Sequence, residues 1–204
     1  MNFTYNTQQF NNTKTSHQEE EEEEEEIVEE TSIITKGNEI YYYGDINKNE
    51  ILKLITHIKD LNIQLQIQSI LYNFQPCIHL HLYSNGGDAF MGLSGYDFIK
   101  ANPIPIYTYI DGMIASAATF IYLAGHKRFM SENATILIHQ ISTTFWGKFE
   151  DLKDEYKNTD ELMKIVKKIY NSHTTMKKKQ LDEILKRELL LTYTDCTKIN
   201  FYTD

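Results

Sequence analysis

Cysteine, basic residues and long apolar runs are all scarce in this sequence. The two cysteines, Cys77 and Cys196, cannot build a disulfide framework, and neither has the spacing of a Cys-x-x-Cys metal or redox motif. Lysine and arginine total 20 against 29 acidic residues, and no basic cluster indicates a nucleic-acid surface. The first residues also lack the basic and apolar regions of a secretory signal peptide. We therefore expect an intracellular protein, cytoplasmic by default, with no nucleic acid among its partners.

The longest apolar segment, residues 104–125, has the length of a membrane span but not its composition. Asp111 and Gly112 fall near its middle, where a carboxylate is costly in a bilayer. A buried strand followed by a buried helix explains the segment better, so we expect no membrane among the partners.

Negative charge is concentrated at one end of the chain. Residues 1–37 hold ten glutamates and two lysines, so they carry nearly all of the formal net charge of −9. Like-charge repulsion and a shortage of large apolar residues predict a disordered acidic tail there, in which Ile27-Val28 or Ile33-Ile34 could still dock. Residues 38–204 are enough for one domain with a sizeable core.

Alternating residues and glycine turns predict an α/β fold in the middle of the chain. Residues 77–83 alternate apolar and polar side chains and predict a strand, and the Gly-Gly pair after it predicts a turn into a helix over residues 89–101. The chain then repeats the pattern, with a strand over residues 104–110 and another helix after it. Successive strand–turn–helix units predict a parallel sheet.

Periodic apolar residues predict helices on both sides of this centre. One begins after a cap at Asn47 or Asn49, and residues 63–74 beyond it are ambiguous between helix and loop. A long charged helix covers residues 149–173, and its apolar face is predicted to be buried; that face consists of Leu152, Tyr156, Leu162, Ile165, Val166 and Ile169. The remaining predictions are strands at residues 40–43, 127–130 and 135–138, helices at 177–186 and 194–199, and an apolar link at 189–192.

Ser116 is the first candidate for chemistry. Asp111-Gly112 predicts a turn, and the small residues from Ala115 onward predict a helix that stops at Gly125, with Ser116 in its first turn. Unpaired backbone amides and the positive end of the helix dipole meet there, and they would stabilise an oxyanion. The alternative is that Ser116 only caps or packs the helix.

Histidines at strand positions are the next candidates. His79 and His81 share one face of a predicted strand and could bind a metal, but a third ligand is missing nearby, which favours a solvated or helix-covered strand face. His139 ends a short strand, and sites in α/β folds are built at that edge of the sheet. Its alternative is a histidine that is satisfied within the core.

Three motifs, taken in this order along the chain, resemble the ClpP family, the proteolytic subunits of the Clp protease within the wider ClpP/crotonase superfamily. They are Ser84-Asn-Gly-Gly-Asp88, Gly112-Met-Ile-Ala-Ser116 with the small residues after it, and Ile136-Leu-Ile-His139. The resemblance covers residues 38–204. It implies an α/β, ClpP/crotonase-like fold of repeated ββα units with a long protruding helix, the handle.

The resemblance also implies a role for each site residue. Ser116 would be the nucleophile and His139 the general base. The backbone amides of Gly87 and Ala117 would form the oxyanion hole. Two positions depart from the family pattern, because Asn85 stands where the family has a proline, and Ala117 where it has a methionine.

The third catalytic residue is implied at Glu188, four residues before Thr192, where the family has an aspartate. A glutamate can accept the same hydrogen bond from His139. The alternatives for this role are Asp182, Glu183 and Asp195.

As a whole, the resemblance implies a serine endopeptidase that cleaves peptides or unfolded proteins through an acyl-enzyme. It implies homo-oligomers of stacked heptameric rings and an AAA+ unfoldase as partner, although the long acidic tail differs from the family's short axial segment. No cofactor and no metal are expected in this chain, and any ATP hydrolysis would belong to the partner ATPase. Two alternatives stay open: a catalytically silent ring subunit, and a crotonase-like acyl-CoA enzyme.

Overall fold

A seven-stranded sheet organises residues 32–203, the part of the chain that the computed structural model describes. The elements, in chain order, are β1 (Ile33–Lys36), β2 (Glu39–Tyr43), α1 (Lys48–Tyr72), β3 (Ile78–Ser84), α2 (Ala89–Lys100), β4 (Ile106–Ala115), α3 (Ala118–Leu123), β5 (Lys127–Met130), β6 (Thr135–Leu137), α4 (Phe149–His173), α5 (Lys178–Leu185), β7 (Leu190–Thr192) and α6 (Tyr193–Lys198).

The centre of the sheet is parallel, which confirms the predicted α/β fold. The strand order is β1-β2-β3-β4-β6-β7, and β5 pairs with β4 outside this path. Strands β2 to β6 pair in parallel, whereas β1 and β7 are antiparallel strands at the two edges. The first half of β4 pairs with β5 and its last three residues pair with β6.

Apolar alternation decides which face of the sheet is covered. Ile78, Leu80 and Leu82 of β3 are fully buried on one face, in a single core with residues of the helices. Two glycines of α2 allow this helix to approach α3 closely. A Cβ at Gly92 would lie 2.9 Å from the Cβ of Ala117, a distance that real atoms do not adopt. The packing of α2 therefore positions the turn that follows Ser116.

The opposite face of the sheet carries aromatic rings and the two strand histidines. His81 stacks between Tyr41 and Tyr109, with ring centroids 4.7 and 4.6 Å apart, and its Nδ1 lies 3.0 Å from a carboxylate oxygen of Asp111. The Nδ1 of His79 lies 2.8 Å from the hydroxyl of Tyr109, and burial lowers the pKa of this histidine. Both imidazoles are thus engaged with side chains of neighbouring strands.

None of the helices in residues 32–203 is long and apolar enough to cross a membrane. Within the same residues, no group of three or more histidine, cysteine, aspartate or glutamate side chains is arranged to hold a metal ion.

One strand of the sheet lies before the predicted boundary at residue 38. Residues 33–36 form β1, which pairs with β2 from Ile33 opposite Tyr42 to Lys36 opposite Glu39. The sequence left open that Ile33-Ile34 could dock, and this apolar pair next to an acidic segment is ordered by a strand that comes later in the chain. The rest of the predicted tail, residues 1–31, lies outside the described residues.

Other predictions need correction where tertiary contacts outweigh local signals. Asp111-Gly112 is not a turn: β4 continues through it, Gly112 has φ 90°, and the β3–β4 register shifts there by two residues. The ambiguous residues 63–72 extend α1, and the link at 190–192 is strand β7.

The buried face of α4 is shorter than predicted. Val166, Ile169 and Tyr170 near its end are buried, whereas Leu152 and Tyr156 near its start are exposed. The first half of the helix therefore makes few contacts with the core, as a protruding handle would.

The contribution of β1 can be measured with two truncated chains, one starting at residue 32 and the other at residue 38. Loss of β1 exposes the sheet edge and removes the burial of Ile33, which is worth ~2 kcal/mol. We expect the shorter chain to melt roughly 4–8 °C lower in a thermal unfolding experiment. Equal melting temperatures would show that β1 adds nothing to stability.

Candidate active site

Three loops meet at one edge of the sheet, where neighbouring parallel strands end. The Gly86-Gly87 loop follows β3, Ser116 follows β4, and His139 follows β6, and these strands lie side by side. The carboxyl ends of parallel strands share an edge, so residues far apart in sequence come together there. A cavity of about 870 Å³ is lined by Gly87, Ser116, Ala117 and His139.

Helices α3 and α4 supply a large part of the walls of this cavity. Phe120 of α3 and an apolar row of α4 close one side; the row consists of Leu162, Ile165, Val166 and Tyr170. Polar side chains of α4, including Glu155 and Asn158, line the cavity as well. The geometry offers an apolar surface beside a serine hydroxyl and an imidazole.

Ser116 does not lie in the first helical turn, as the sequence predicted, but between β4 and α3. Its φ is 53°, which is the left-handed region that a residue with a Cβ rarely adopts. Such a conformation costs about 1–3 kcal/mol and persists only where the surroundings hold it. The Ser116 amide donates to the carbonyl of Leu137 in β6 at 2.8 Å, and its carbonyl accepts from the amide of Thr119 at 3.0 Å.

The Gly-Gly loop needs both of its glycines. A Cβ at Gly86, where φ is 94°, would lie 2.7 Å from the Cβ of Ser116, and a Cβ at Gly87, where φ is 144°, would lie 2.2 Å from the carbonyl oxygen of Ile46. Only residues without a side chain therefore allow the loop to approach the serine so closely.

The directions of two backbone amides beside the cavity, those of Gly87 and Ala117, are set by the hydrogen bonds that the preceding carbonyls accept. The amide of Ile46 donates to the carbonyl of Gly86 at 2.7 Å, and the N–H of Gly87 points the opposite way, since a trans peptide holds its C=O and N–H antiparallel. The carbonyl of Ser116 is likewise turned toward Thr119, so the N–H of Ala117 points away from it. Among residues 32–203, neither amide donates to another protein group.

Strand pairing explains how His139 and Glu188 come together. In the antiparallel pair of β6 and β7, Leu137 lies opposite Leu190. If that register is continued by two residues, His139 lies opposite Glu188. The Nδ1 of the imidazole is 3.8 Å from a carboxylate oxygen of Glu188, within ion-pair range but longer than a hydrogen bond. The Glu188 side chain is 80 % exposed and that of His139 23 % exposed.

The three alternative acids have other partners. Asp182 pairs with Lys167 at 2.7 Å, and the hydrogen bond from this lysine lowers the pKa of the carboxyl. Glu183 pairs with Lys186 at 3.0 Å. Asp195 accepts from the hydroxyl of Thr192 at the start of α6, and that bond lowers its pKa. Of the four candidates, Glu188 is the one beside the imidazole.

Sequence reasoning missed two side chains that contact the serine loop. The hydroxyl of Thr119 donates to the carbonyl of Ser116 at 2.6 Å, and it lies 2.7 Å from the hydroxyl of Tyr170. The three-residue spacing of Ser116 and Thr119 was a usable signal, because threonine hydroxyls often bond a nearby backbone carbonyl. Tyr170 gave no signal, since it is 51 residues away from Thr119.

Comparison with known proteins gives a family match for the chain. A family model described as Clp protease matches residues 22–201. The ATP-dependent Clp protease proteolytic subunit of Oenothera elata subsp. hookeri is 29 % identical over 147 residues, which are 70 % of this chain and 57 % of that protein. The chain thus spans little more than half the length of this curated relative.

A solved structure shows the same fold. A mutant of ClpP1 from Listeria monocytogenes superimposes with a TM-score of 0.69 and is 21 % identical in sequence. The match covers 81 % of this chain and 89 % of the ClpP1 chain.

The left-handed backbone of Ser116 leads to a stability prediction. Ser116→Gly and Ser116→Ala both remove the hydroxyl, but only alanine keeps the Cβ that makes this conformation costly. We expect the glycine variant to be more stable by about 1 kcal/mol in denaturant unfolding.

Ser69, a half-buried residue within α1, is the matched control. There the order should reverse, because glycine is about 1 kcal/mol worse than alanine inside a helix. A Ser116→Gly variant that is less stable than Ser116→Ala would contradict the left-handed conformation.

Proposed function

Because the chain belongs to the Clp protease family, we propose that it is a serine endopeptidase that cleaves peptides or unfolded proteins. The family match over most of the chain supports a peptidase. One observation carries the serine mechanism: Ser116 and His139 line the same cavity as the two unengaged amides of Gly87 and Ala117. The substrate class follows from the family alone.

In the proposed reaction, Ser116 Oγ attacks the carbonyl carbon of the scissile peptide while His139 takes the hydroxyl proton. The negative charge that develops on the carbonyl oxygen is stabilised by the amides of Gly87 and Ala117. The proton passes from the imidazole to the leaving amine, and an acyl-enzyme remains. Water, deprotonated by the same imidazole, then releases the acid and restores the serine.

Glu188 is proposed as the acid that orients the imidazole and stabilises its protonated form. Its carboxylate faces the Nδ1 side, which leaves Nε2 for the serine. The 3.8 Å distance has to shorten for a hydrogen bond, and such bonds tighten when substrate binds. The exposed position of Glu188 leaves room for this movement.

Assembly into stacked heptameric rings is also proposed. Trp146 is 98 % exposed and Phe149 is 69 % exposed at the start of α4. Aromatic residues are enriched at protein interfaces. Phe149 is the first residue of α4, the element that corresponds to the handle, and Trp146 lies in the loop before it. An AAA+ unfoldase is the proposed partner and would hydrolyse the ATP, so this chain needs no cofactor of its own.

The catalytic proposal is tested by labelling with a fluorophosphonate, whose phosphorus is attacked by an activated serine oxygen, so that fluoride leaves and a phosphonate ester of the serine forms. Wild-type protein should be labelled at Ser116, and Ser116→Ala should not be labelled. Glu188→Gln should slow labelling by roughly 10²–10⁴-fold, because the imidazole loses the group that orients it. Glu183→Gln is the matched control and should react like the wild type.

Three outcomes would contradict the proposal. An inert Ser116 in assembled protein indicates a silent ring subunit. If Glu188→Gln is labelled normally and Asp182→Asn or Asp195→Asn is not, the acid that orients His139 is that aspartate and not Glu188. Thioester turnover without peptide hydrolysis favours an acyl-CoA enzyme of the crotonase type.

The assembly proposal is tested by particle size. Replacing Trp146 and Phe149 with serine should reduce the particle to single rings or smaller in sedimentation experiments, because the apolar contact between rings is lost. Tyr72, which is 75 % exposed on α1, is the control for removing an exposed aromatic side chain elsewhere. An unchanged size after the double substitution would exclude the two residues from the interface.

A further inference from the structure

A chain of hydrogen bonds connects α4 to the backbone of Ser116. The hydroxyl of Tyr170, on α4, lies 2.7 Å from the hydroxyl of Thr119, which in turn lies 2.6 Å from the carbonyl oxygen of Ser116. Tyr170 and Thr119 are both buried, and the route crosses from the handle helix to α3 and the serine loop. The proposed reaction, as described above, does not use either hydroxyl.

The direction of these bonds follows from counting protons. A threonine hydroxyl has one hydrogen to donate, and the carbonyl of Ser116 can only accept. Thr119 therefore donates to Ser116 and must accept from Tyr170. Burial raises the pKa of Tyr170 well above its usual value, so this side chain keeps its proton over the range in which proteins work. The Tyr170 hydroxyl thus donates to the Thr119 hydroxyl, which donates to the carbonyl of Ser116.

Tyr170 is itself held firmly in place. Its ring packs against Phe120 and Phe201, with centroids 5.9 and 6.4 Å apart. The end of α4 is bound by Arg128, whose guanidinium donates to the carbonyl of His173 at 3.2 Å and to the carbonyl of Phe201 at 3.0 Å. The hydroxyl of Tyr170 is thus a fixed donor.

The peptide that this chain holds is the one between Ser116 and Ala117. Its carbonyl accepts the Thr119 hydroxyl, and its N–H belongs to Ala117, which lines the cavity, and points the opposite way. A rotation of this peptide would change ψ of Ser116 and φ of Ala117, and it would turn the Ala117 amide away from the oxyanion. The two hydroxyls oppose that rotation.

We propose that Thr119 and Tyr170 are positioning residues that fix the Ser116–Ala117 peptide, so that the Ala117 amide is aimed at the oxyanion. This inference rests on the proposed serine mechanism. The Thr119 amide also donates to the Ser116 carbonyl, at 3.0 Å, and this bond does not need the hydroxyl. We therefore expect removal of the hydroxyl to leave the turn at Ser116 folded and to lower the rate of the reaction. The position of the handle helix is thereby coupled to the oxyanion hole.

The experiment uses three substitutions in the assembled protein. Thr119→Val and Tyr170→Phe each remove only hydrogen-bonding capacity, and Thr119→Ser keeps the hydroxyl. Tyr122→Phe is the matched control, because Tyr122 is also buried but its hydroxyl faces the carbonyl of Phe129. The readouts are kcat and KM for a short peptide, the rate of fluorophosphonate labelling, and the melting temperature.

Removing one oxyanion donor outright costs ~10²–10³-fold in kcat, which is the upper limit here. We expect about 30-fold lower kcat for Thr119→Val and about 5-fold lower kcat for Tyr170→Phe, with KM unchanged within about twofold. Thr119→Ser and Tyr122→Phe should keep kcat. Adding Tyr170→Phe to Thr119→Val should cost nothing further, because Tyr170 acts through Thr119.

Equal rates in all variants would overturn the inference while leaving the serine mechanism intact. The inference would also be overturned if Thr119→Ser lost as much kcat as Thr119→Val. A loss of kcat accompanied by a lower melting temperature and a higher KM would overturn it as well, because both results indicate a structural role. If wild-type Ser116 is inert, the proposed function fails. A crystal structure of Thr119→Val then decides the inference: a rotated Ser116–Ala117 peptide supports it, and an unchanged peptide overturns it.

Discussion

The left-handed backbone of Ser116 is the constraint on which the rest of the site depends. A residue with a Cβ pays for this conformation, so the neighbouring elements have to hold it. The Ser116 amide donates to a carbonyl of strand β6, and Thr119 of α3 donates to the Ser116 carbonyl. Gly86, which has no side chain, leaves room for that of Ser116. The same contacts orient the amides that are proposed to stabilise an oxyanion, so strain and catalysis have one structural origin.

Strand pairing supplies the second half of the site. β6 pairs in parallel with β4, which carries the serine, and antiparallel with β7 on its other side. Its carboxyl end therefore lies beside both Ser116 and the residues that precede β7. His139 occupies that place, between the cavity and Glu188. A short strand of three residues thus connects the nucleophile to the acid through the base.

The handle helix has two different ends. Its first half is exposed and begins next to Trp146, which suits the proposed contact between rings. Its second half packs against the core, lines the cavity and contacts Thr119 through Tyr170. Any shift of the helix that follows assembly would be felt at the serine loop, because well-packed interiors transmit displacement rather than absorb it.

The sequence by itself determined the parallel α/β fold, the family, and the candidates Ser116, His139, Gly87 and Ala117, because each depends on local periodicity or on a short motif. It also pointed to Glu188 by counting along the chain. Only the tertiary structure decided that β1 joins the sheet, that β4 runs through Asp111-Gly112, that Ser116 is left-handed, and that Tyr170 reaches Thr119. These features depend on contacts between segments that are distant in sequence, and no local pattern encodes them.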